Sequence, residues 1–279
     1  MKIIDFRVRP PLKGFLKMAM YANSERRDRF TRQLGMQPAP SAQKRSLPAL
    51  VKEMAAAGVV KGVITGRMSG FLGSVSNDDV AAICKAHPKL FVGVAGVDPT
   101  QRKAAIRQID DAMKAGFRGV TIEPGAYPVP LYADDRRLYP IYGHCEDLNI
   151  PVVIMTGGNA GPDLSYSDPV PLDRVAADFP TLKIVVSHGN WPWVHQILHI
   201  AFRRPNVFVS PDMYVYNMPG MDDYLKAADT WLADRFIYGS AYPLTPLADY
   251  AQWFLKLPLR AESMERIVYK NAAELLGIK

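Results

Sequence analysis

Two arginines at alternate positions, Arg7 and Arg9, close the first apolar run of the chain, Lys2-Ile-Ile-Asp5-Phe-Arg7-Val-Arg9. Alternate side chains on an extended strand share a face, so both guanidiniums project together. Guanidiniums bind planar oxyanions through paired hydrogen bonds, which makes a carboxylate, an enolate or an ester-derived oxyanion their natural ligand. Other polar groups fall at comparable places, just past short β-rich runs. Arg67 follows Val59 to Thr65, Glu123 follows Gly119 to Ile122, and Asn159 follows Val152 to Met155. His188 and Asn190 follow Ile184 to Ser187, Asp212 follows Val207 to Ser210, and Tyr242 follows Phe236 to Gly239. His188 is the natural acid/base group, because imidazole exchanges protons near neutral pH. Glu123 and Asp212 are the catalytic carboxylates if an apolar mouth raises one toward neutrality; equally, they pair with Arg7 or Arg9. Arg67, Asn159, Asn190 and Tyr242 join the two N-terminal arginines as substrate-binding candidates.

What must position these groups is a repeated unit. Eight β-rich segments, from Ile3 to Phe6 through Phe236 to Gly239, alternate with amphipathic stretches such as Ser46 to Ala57, Asn77 to Ala86 and Val194 to Phe202. Regular alternation predicts a parallel sheet, and eight repeats without a linker predict one α/β domain, a single (β/α)8 TIM barrel over residues 1–279. In such a barrel the ends of the strands form the active-site mouth. Two long connections, Pro10 to Arg45 and Gly157 to Pro169, leave that end and read as lids or substrate walls. Ser263 to Leu276 reads as the last helix, stopped by Gly277.

Composition narrows the function classes. Hydrophobic residues make up 48% and charged residues 22%, as in a soluble globular protein. No run approaches the length of a membrane helix, and the N-terminus lacks the pattern of a signal peptide. Cys84 and Cys145 form no CxxC pair and read as free thiols of a reducing cytoplasm. The net charge of +7 supports an anionic small substrate. It does not support nucleic acid, because the clearest basic cluster, Glu25 to Arg29 with Arg32, contains acids and reads as a solvated helix face or mobile loop. Aromatic and methionine residues near the long loops (Met18, Met20, Tyr21, Trp191, Tyr214) suit a flat or apolar substrate body; they equally suit core packing or a contact between copies, so a homo-oligomer stays open. His195 and His199, four apart on a helix, read as surface residues.

The strand ends taken in order resemble the amidohydrolase superfamily, in the branch of aminocarboxymuconate-semialdehyde decarboxylase-like enzymes and lactonases. The motifs are Ile4-Asp5, Gly93-Val-Ala-Gly-Val-Asp98-Pro99, Pro151-Val-Val-Ile-Met155, Ser187-His188-Gly189, Tyr238-Gly-Ser-Ala241-Tyr242-Pro243 and Asn271-Ala-Ala-Glu-Leu-Leu-Gly277. The resemblance implies a divalent metal on four strand-end ligands, yet the matching positions here are Arg7, Arg9, Met155 and Ala241. It also implies that His188 is the acid/base group. The expectation is therefore an enzyme of this fold without metal or other cofactor. Hydrolysis of a lactone or ester on a carboxylate-bearing small molecule comes first. Decarboxylation or another lyase step, or a non-catalytic binding role, is the alternative.

Overall fold

The computed structural model describes residues 1–158 and 160–278. Seven parallel strands hydrogen-bond in sequence order: β1 (Ile3–Asp5), β2 (Val59–Thr65), β3 (Phe91–Gly96), β4 (Val120–Ile122), β5 (Val152–Met155), β6 (Ile184–Ser187) and β7 (Val207–Ser210). The expected eighth segment is present but irregular. On one side Ile237 N–H donates to Val209 O at 2.9 Å; on the other Phe6 N–H donates to Tyr238 O at 3.1 Å and Arg9 N–H to Tyr242 O at 3.1 Å. These bonds join β7 to β1 and close the (β/α) barrel.

The irregularity has a local cause. The buried Asp5 carboxylate accepts from Arg7 N–H at 3.0 Å, Ser240 N–H at 2.9 Å and the Ser240 hydroxyl at 2.6 Å. A side chain thus takes bonds that a regular ladder would give to backbone. Ala241, next along, adopts φ of 61°.

Side chains from separate strands fill the barrel: Ile4, Val63, Val94, Val153 and Val185, with Ile237 from the closing segment. The C-terminal Ala272, Leu275 and Leu276 pack into the same cluster. The predicted last helix is one run, Ala261–Glu265 and Asn271–Leu276 joined by a π-helical stretch Arg266–Lys270. The expected helix over Ser46 to Ala57 forms as Leu47–Ala57, capped by the Ser46 hydroxyl, which accepts from Ala49 N–H at 3.3 Å. Its stop is Gly58 at φ 74°, where a Cβ would lie 2.6 Å from Met1 O.

The long connections are more ordered than their sequence suggests. Pro10 to Arg45 carries a short 3-10 turn (Lys13–Lys17) and three helices, Ala19–Ala22, Ser24–Gln33 and Pro40–Gln43. The basic cluster is therefore neither a mobile loop nor a purely solvated face: Arg27 is buried, and Arg26, Arg27 and Arg29 all line a cavity shared with Arg7 and Arg9. Among the described residues no helix is long and apolar enough to cross a membrane.

Candidate active site

At the C-terminal ends of the strands lies a cavity of about 270 Å³. Six arginines line it (Arg7, Arg9, Arg26, Arg27, Arg29 and Arg67), and among the described residues no carboxylate does. Val8 turns outward into the helix-facing core while Arg7 and Arg9 on either side of it both reach the cavity, as alternation requires.

Arg7 is the hub. Its Nη1 donates to the Ser187 hydroxyl at the end of β6, and its Nη2 lies 3.2 Å from Met155 Sδ at the end of β5. Nη2 also lies 3.0 Å from His188 Nε2, and Nε lies 3.2 Å from Asp212 Oδ2 beyond β7. One guanidinium thus ties together the ends of four strands. A guanidinium only donates, so His188 Nε2 must accept. The ring proton then sits on Nδ1, which hydrogen-bonds Asp212 Oδ1 at 3.3 Å.

The electrostatics follow from this chain of contacts. Burial, then the charge of Arg7, lowers the His188 pKa to about 4, so the imidazole is neutral near pH 7. Burial opposes charge on Asp212, yet His188 and Arg7 outweigh it and hold the carboxyl below its usual range. Tyr214 meets His188 edge to face at 5.1 Å and stacks on Trp191 at 5.3 Å.

Backbone strain concentrates at these strand ends. His188, Gly189 and Asn190 are successively left-handed at φ 61°, 54° and 59°, and Asp212 has φ 47°. Left-handed conformations cost non-glycine residues free energy and cluster where function constrains the chain. Gly189 suits this turn because a Cβ there would sit 2.8 Å from the Tyr224 hydroxyl and 2.9 Å from Pro211 Cα.

Arg9 differs from Arg7. It is 5% exposed, and its Nη1 is buried without a hydrogen-bond partner among the described residues. Burial, then the like charges of Arg7 and Arg67, pushes its pKa well below the ordinary arginine value. An unpaired buried cation of this kind costs several kcal/mol unless an anion reaches it.

The remaining expected residues divide. Arg67 lines the cavity and donates to Glu123 Oε2 from Nε at 2.7 Å, with Nη2 in ion-pair contact with the same oxygen at 2.6 Å. Glu123 thus pairs with Arg67, not with Arg7 or Arg9, and neither it nor Asp212 is on the cavity wall. Asn190 lies behind the wall, fully buried, bonded to the Thr156 hydroxyl and to Ser167 O. Tyr242 is likewise buried, its hydroxyl 2.9 Å from the Ser41 hydroxyl. Asn159 lies outside the described residues. His195 is exposed and meets Asp223 at 3.0 Å. Sequence reasoning missed Ser187, the Asp5 clamp and the cavity-lining arginines of helix Ser24–Gln33. The signal for the last was available: Asn23, Arg26, Arg27 and Phe30 recur at helical spacing.

The four positions where the resemblance expects metal ligands carry two guanidiniums, a thioether and a methyl group. Guanidiniums have no free lone pair and a methyl has none at all. Ala241 packs instead with Met213 and Tyr214. Among the described residues no three His, Cys, Asp or Glu side chains converge on a metal-sized site. These residues do not fit a divalent cation.

Comparison with known proteins agrees with the architecture. A solved structure of an uncharacterized TIM-barrel protein from Bordetella bronchiseptica is 54% identical, covering 100% of this chain and 99% of that one, with a TM-score of 0.97. The 5-carboxyvanillate decarboxylase of Sphingomonas paucimobilis superposes with a TM-score of 0.71 at 15% identity, covering 100% of this chain and 99% of its own, a likeness of fold. A curated relative, 2-keto-4-carboxy-3-hexenedioate hydratase from Sphingobium sp. (strain NBRC 103272 / SYK-6), is 25% identical over 179 residues. That match spans about half of either chain, 52% of each. The family model described as amidohydrolase matches residues 4–278. Nearly the whole chain is covered, so this barrel, with guanidiniums at its first strand end, belongs to the amidohydrolase family.

Proposed function

We propose that the protein is a metal-independent enzyme that adds water to a carboxylate-bearing small molecule, with lactone or ester hydrolysis as the reaction. The observation that carries this reading is Arg9: a buried guanidinium with an unpartnered Nη1 on the cavity wall that also bears a neutral histidine. Such a group is a receptor for a carboxylate or a developing oxyanion.

His188 is the base in this reading. Its proton on Nδ1 is held by Asp212, leaving Nε2 as the acceptor. In the free site Arg7 Nη2 occupies that acceptor. Binding of the substrate's carbonyl oxygen draws the Arg7 N–H away from Nε2, where it meets the negative charge that develops on that oxygen, and Nε2 is free to take a proton from water. The resulting hydroxide adds to the carbonyl carbon. The C–O bond of the ester then breaks, and the proton on Nε2 passes to the departing alkoxide. Asp212 and Ser187 position His188 and Arg7; Glu123 positions Arg67; Asn190 and Tyr242 support the wall from behind.

A decarboxylase needs a group that delivers a proton to a carbanion. A histidine of pKa about 4 holds almost no extra proton to deliver near pH 7, and no carboxyl group lines the cavity among the described residues. Water addition instead starts from an unprotonated acceptor, which the neutral imidazole is, though a weak base. A second reading, hydration of a double bond conjugated to a carboxylate, uses the same base and the same anion site; the partial match to a hydratase favours keeping it in view.

The test is a panel of carboxylate-bearing lactones, aryl esters and conjugated unsaturated acids assayed after exhaustive chelation. Turnover on at least one water-adding substrate is expected, with kcat reduced ~10²–10⁴-fold in His188→Asn. Turnover that disappears on chelation and returns with a divalent metal refutes the metal-independent reading. Full turnover by His188→Asn removes that residue from the mechanism.

A further inference from the structure

Helix Ser24–Gln33 covers the cavity with an unusual inner face. Asn23, Arg26, Arg27, Phe30 and Gln33 recur at helical spacing and all line the cavity, together with Arg29. A helix lying on a protein ordinarily turns an apolar stripe inward. Here the buried residues are Arg27 and Thr31.

Two of these residues are explained by anchoring. Arg27 donates to Asp28 Oδ1 from Nε at 2.7 Å, reaches the carbonyls of Met20 and Ala42 at 3.4 Å, and lies 5.8 Å from the Tyr21 ring centroid. The Thr31 hydroxyl donates to Leu244 O at 2.7 Å, tying the helix to the loop after the closing segment. Arg26 and Arg29 have no such role. They are exposed at the cavity mouth, and their guanidiniums make no hydrogen bond or ion pair among the described residues.

The inner and outer arginines are separate centres. The like charges weighing most on Arg9 are Arg7 and Arg67, not those of the helix. The same cavity wall carries apolar residues, Met20, Phe30, Met213 and Leu244.

We propose that Arg26 and Arg29 form a second anion subsite, holding the distal carboxylate of a substrate whose first carboxylate docks on Arg9. The substrate is then at least a dianion with an apolar middle. This assignment rests on the reading of Arg9 as the inner anion site.

The experiment is calorimetric titration of glutarate, adipate and isophthalate against the monoacids of matching frame, valerate, hexanoate and m-toluate. The intact protein is expected to prefer diacids by about tenfold or more, an advantage that shrinks with added salt because the outer guanidiniums are exposed. In the double variant Arg26→Gln/Arg29→Gln, the diacid-to-monoacid affinity ratio falls toward one. Absence of diacid preference in the intact protein, or an unaltered ratio in the double variant, overturns the subsite. Arg9→Met separates the two claims, since it is expected to weaken monoacids and diacids alike. If it weakens neither, the inner site is wrong; if it weakens both and the helix variant is silent, the inner site stands and the outer one falls.

Discussion

Replacing Arg7 with methionine removes the guanidinium that hydrogen-bonds His188 and Ser187 and forms an ion pair with Asp212. Methionine keeps a comparable length and apolar stem but leaves the Asp212 carboxylate, fully buried, facing His188 alone. Breaking a buried ion pair by deleting one partner costs ~3–5 kcal/mol, so Arg7→Met should lose about that much stability. Adding Asp212→Asn removes the stranded charge, and the double variant should be more stable than the sum of the two single losses predicts. A second readout is independent of global stability. Burial and then the Arg7 charge hold the His188 pKa at about 4. With Arg7 gone, the opposing pull of Asp212 remains, and the His188 titration should move upward; every tenfold gain in proton affinity is ~1.4 kcal/mol. Long-range proton–nitrogen correlation spectra of the imidazole ring, recorded against pH, read both the titration and the tautomer. In the intact protein the proton should lie on Nδ1 throughout the neutral range. A proton on Nε2, a midpoint near 6.5, or no upward movement in Arg7→Met refutes the network.

Three further outcomes follow from the same contacts. Above pH 6.5, the ordinary histidine value, His188 is neutral whether the chain is folded or not; below it the unfolded chain binds a proton that the folded chain refuses until about pH 4. Its share of stability is therefore complete above pH 6.5 and declines by ~1.4 kcal/mol per pH unit as pH falls to about 4, measurable by urea unfolding across that window and absent in His188→Asn. For the same reason the acid limb of kcat/KM should lie near pH 4, and a limb near 6.5 contradicts a buried neutral base. Asp5→Ala leaves the N–H groups of Arg7 and Ser240 without their acceptor at the barrel seam. A loss of ~2–5 kcal/mol in chemical denaturation is expected, and a loss under ~1 kcal/mol contradicts the clamp. Gly189→Ala places a Cβ against Tyr224 and Pro211 at φ 54°, and should lower both stability and turnover by displacing His188.

The barrel was legible because strand–helix alternation is a property of the whole chain, and it fixed which groups reach the strand ends. It did not fix which way they turn once there. Asp212 meets Arg7, one of the pairings open from sequence, but Glu123 meets Arg67, since the two follow β4 and β2 on either side of β3. Asn190 and Tyr242 sit at strand ends as expected yet point away from the cavity, one into Thr156 and Ser167, the other into Ser41. The closing segment read as a regular strand, because nothing in the alternation shows that the Asp5 carboxylate takes its backbone bonds. Helix Ser24–Gln33 was hidden by its composition: an amphipathic search looks for an apolar stripe, and this helix turns charge toward the cavity.

The central claim is that an anion docks on Arg9 beside a neutral His188, where relatives of this fold would place a metal. A crystal structure with a carboxylate-bearing lactone analogue tests it most directly. The account predicts a carboxylate or carbonyl oxygen within about 3 Å of Arg9 Nη1, with a water or its mimic against His188 Nε2. A ligand seated away from Arg9, or anomalous scattering from a metal ion in the cavity, contradicts it.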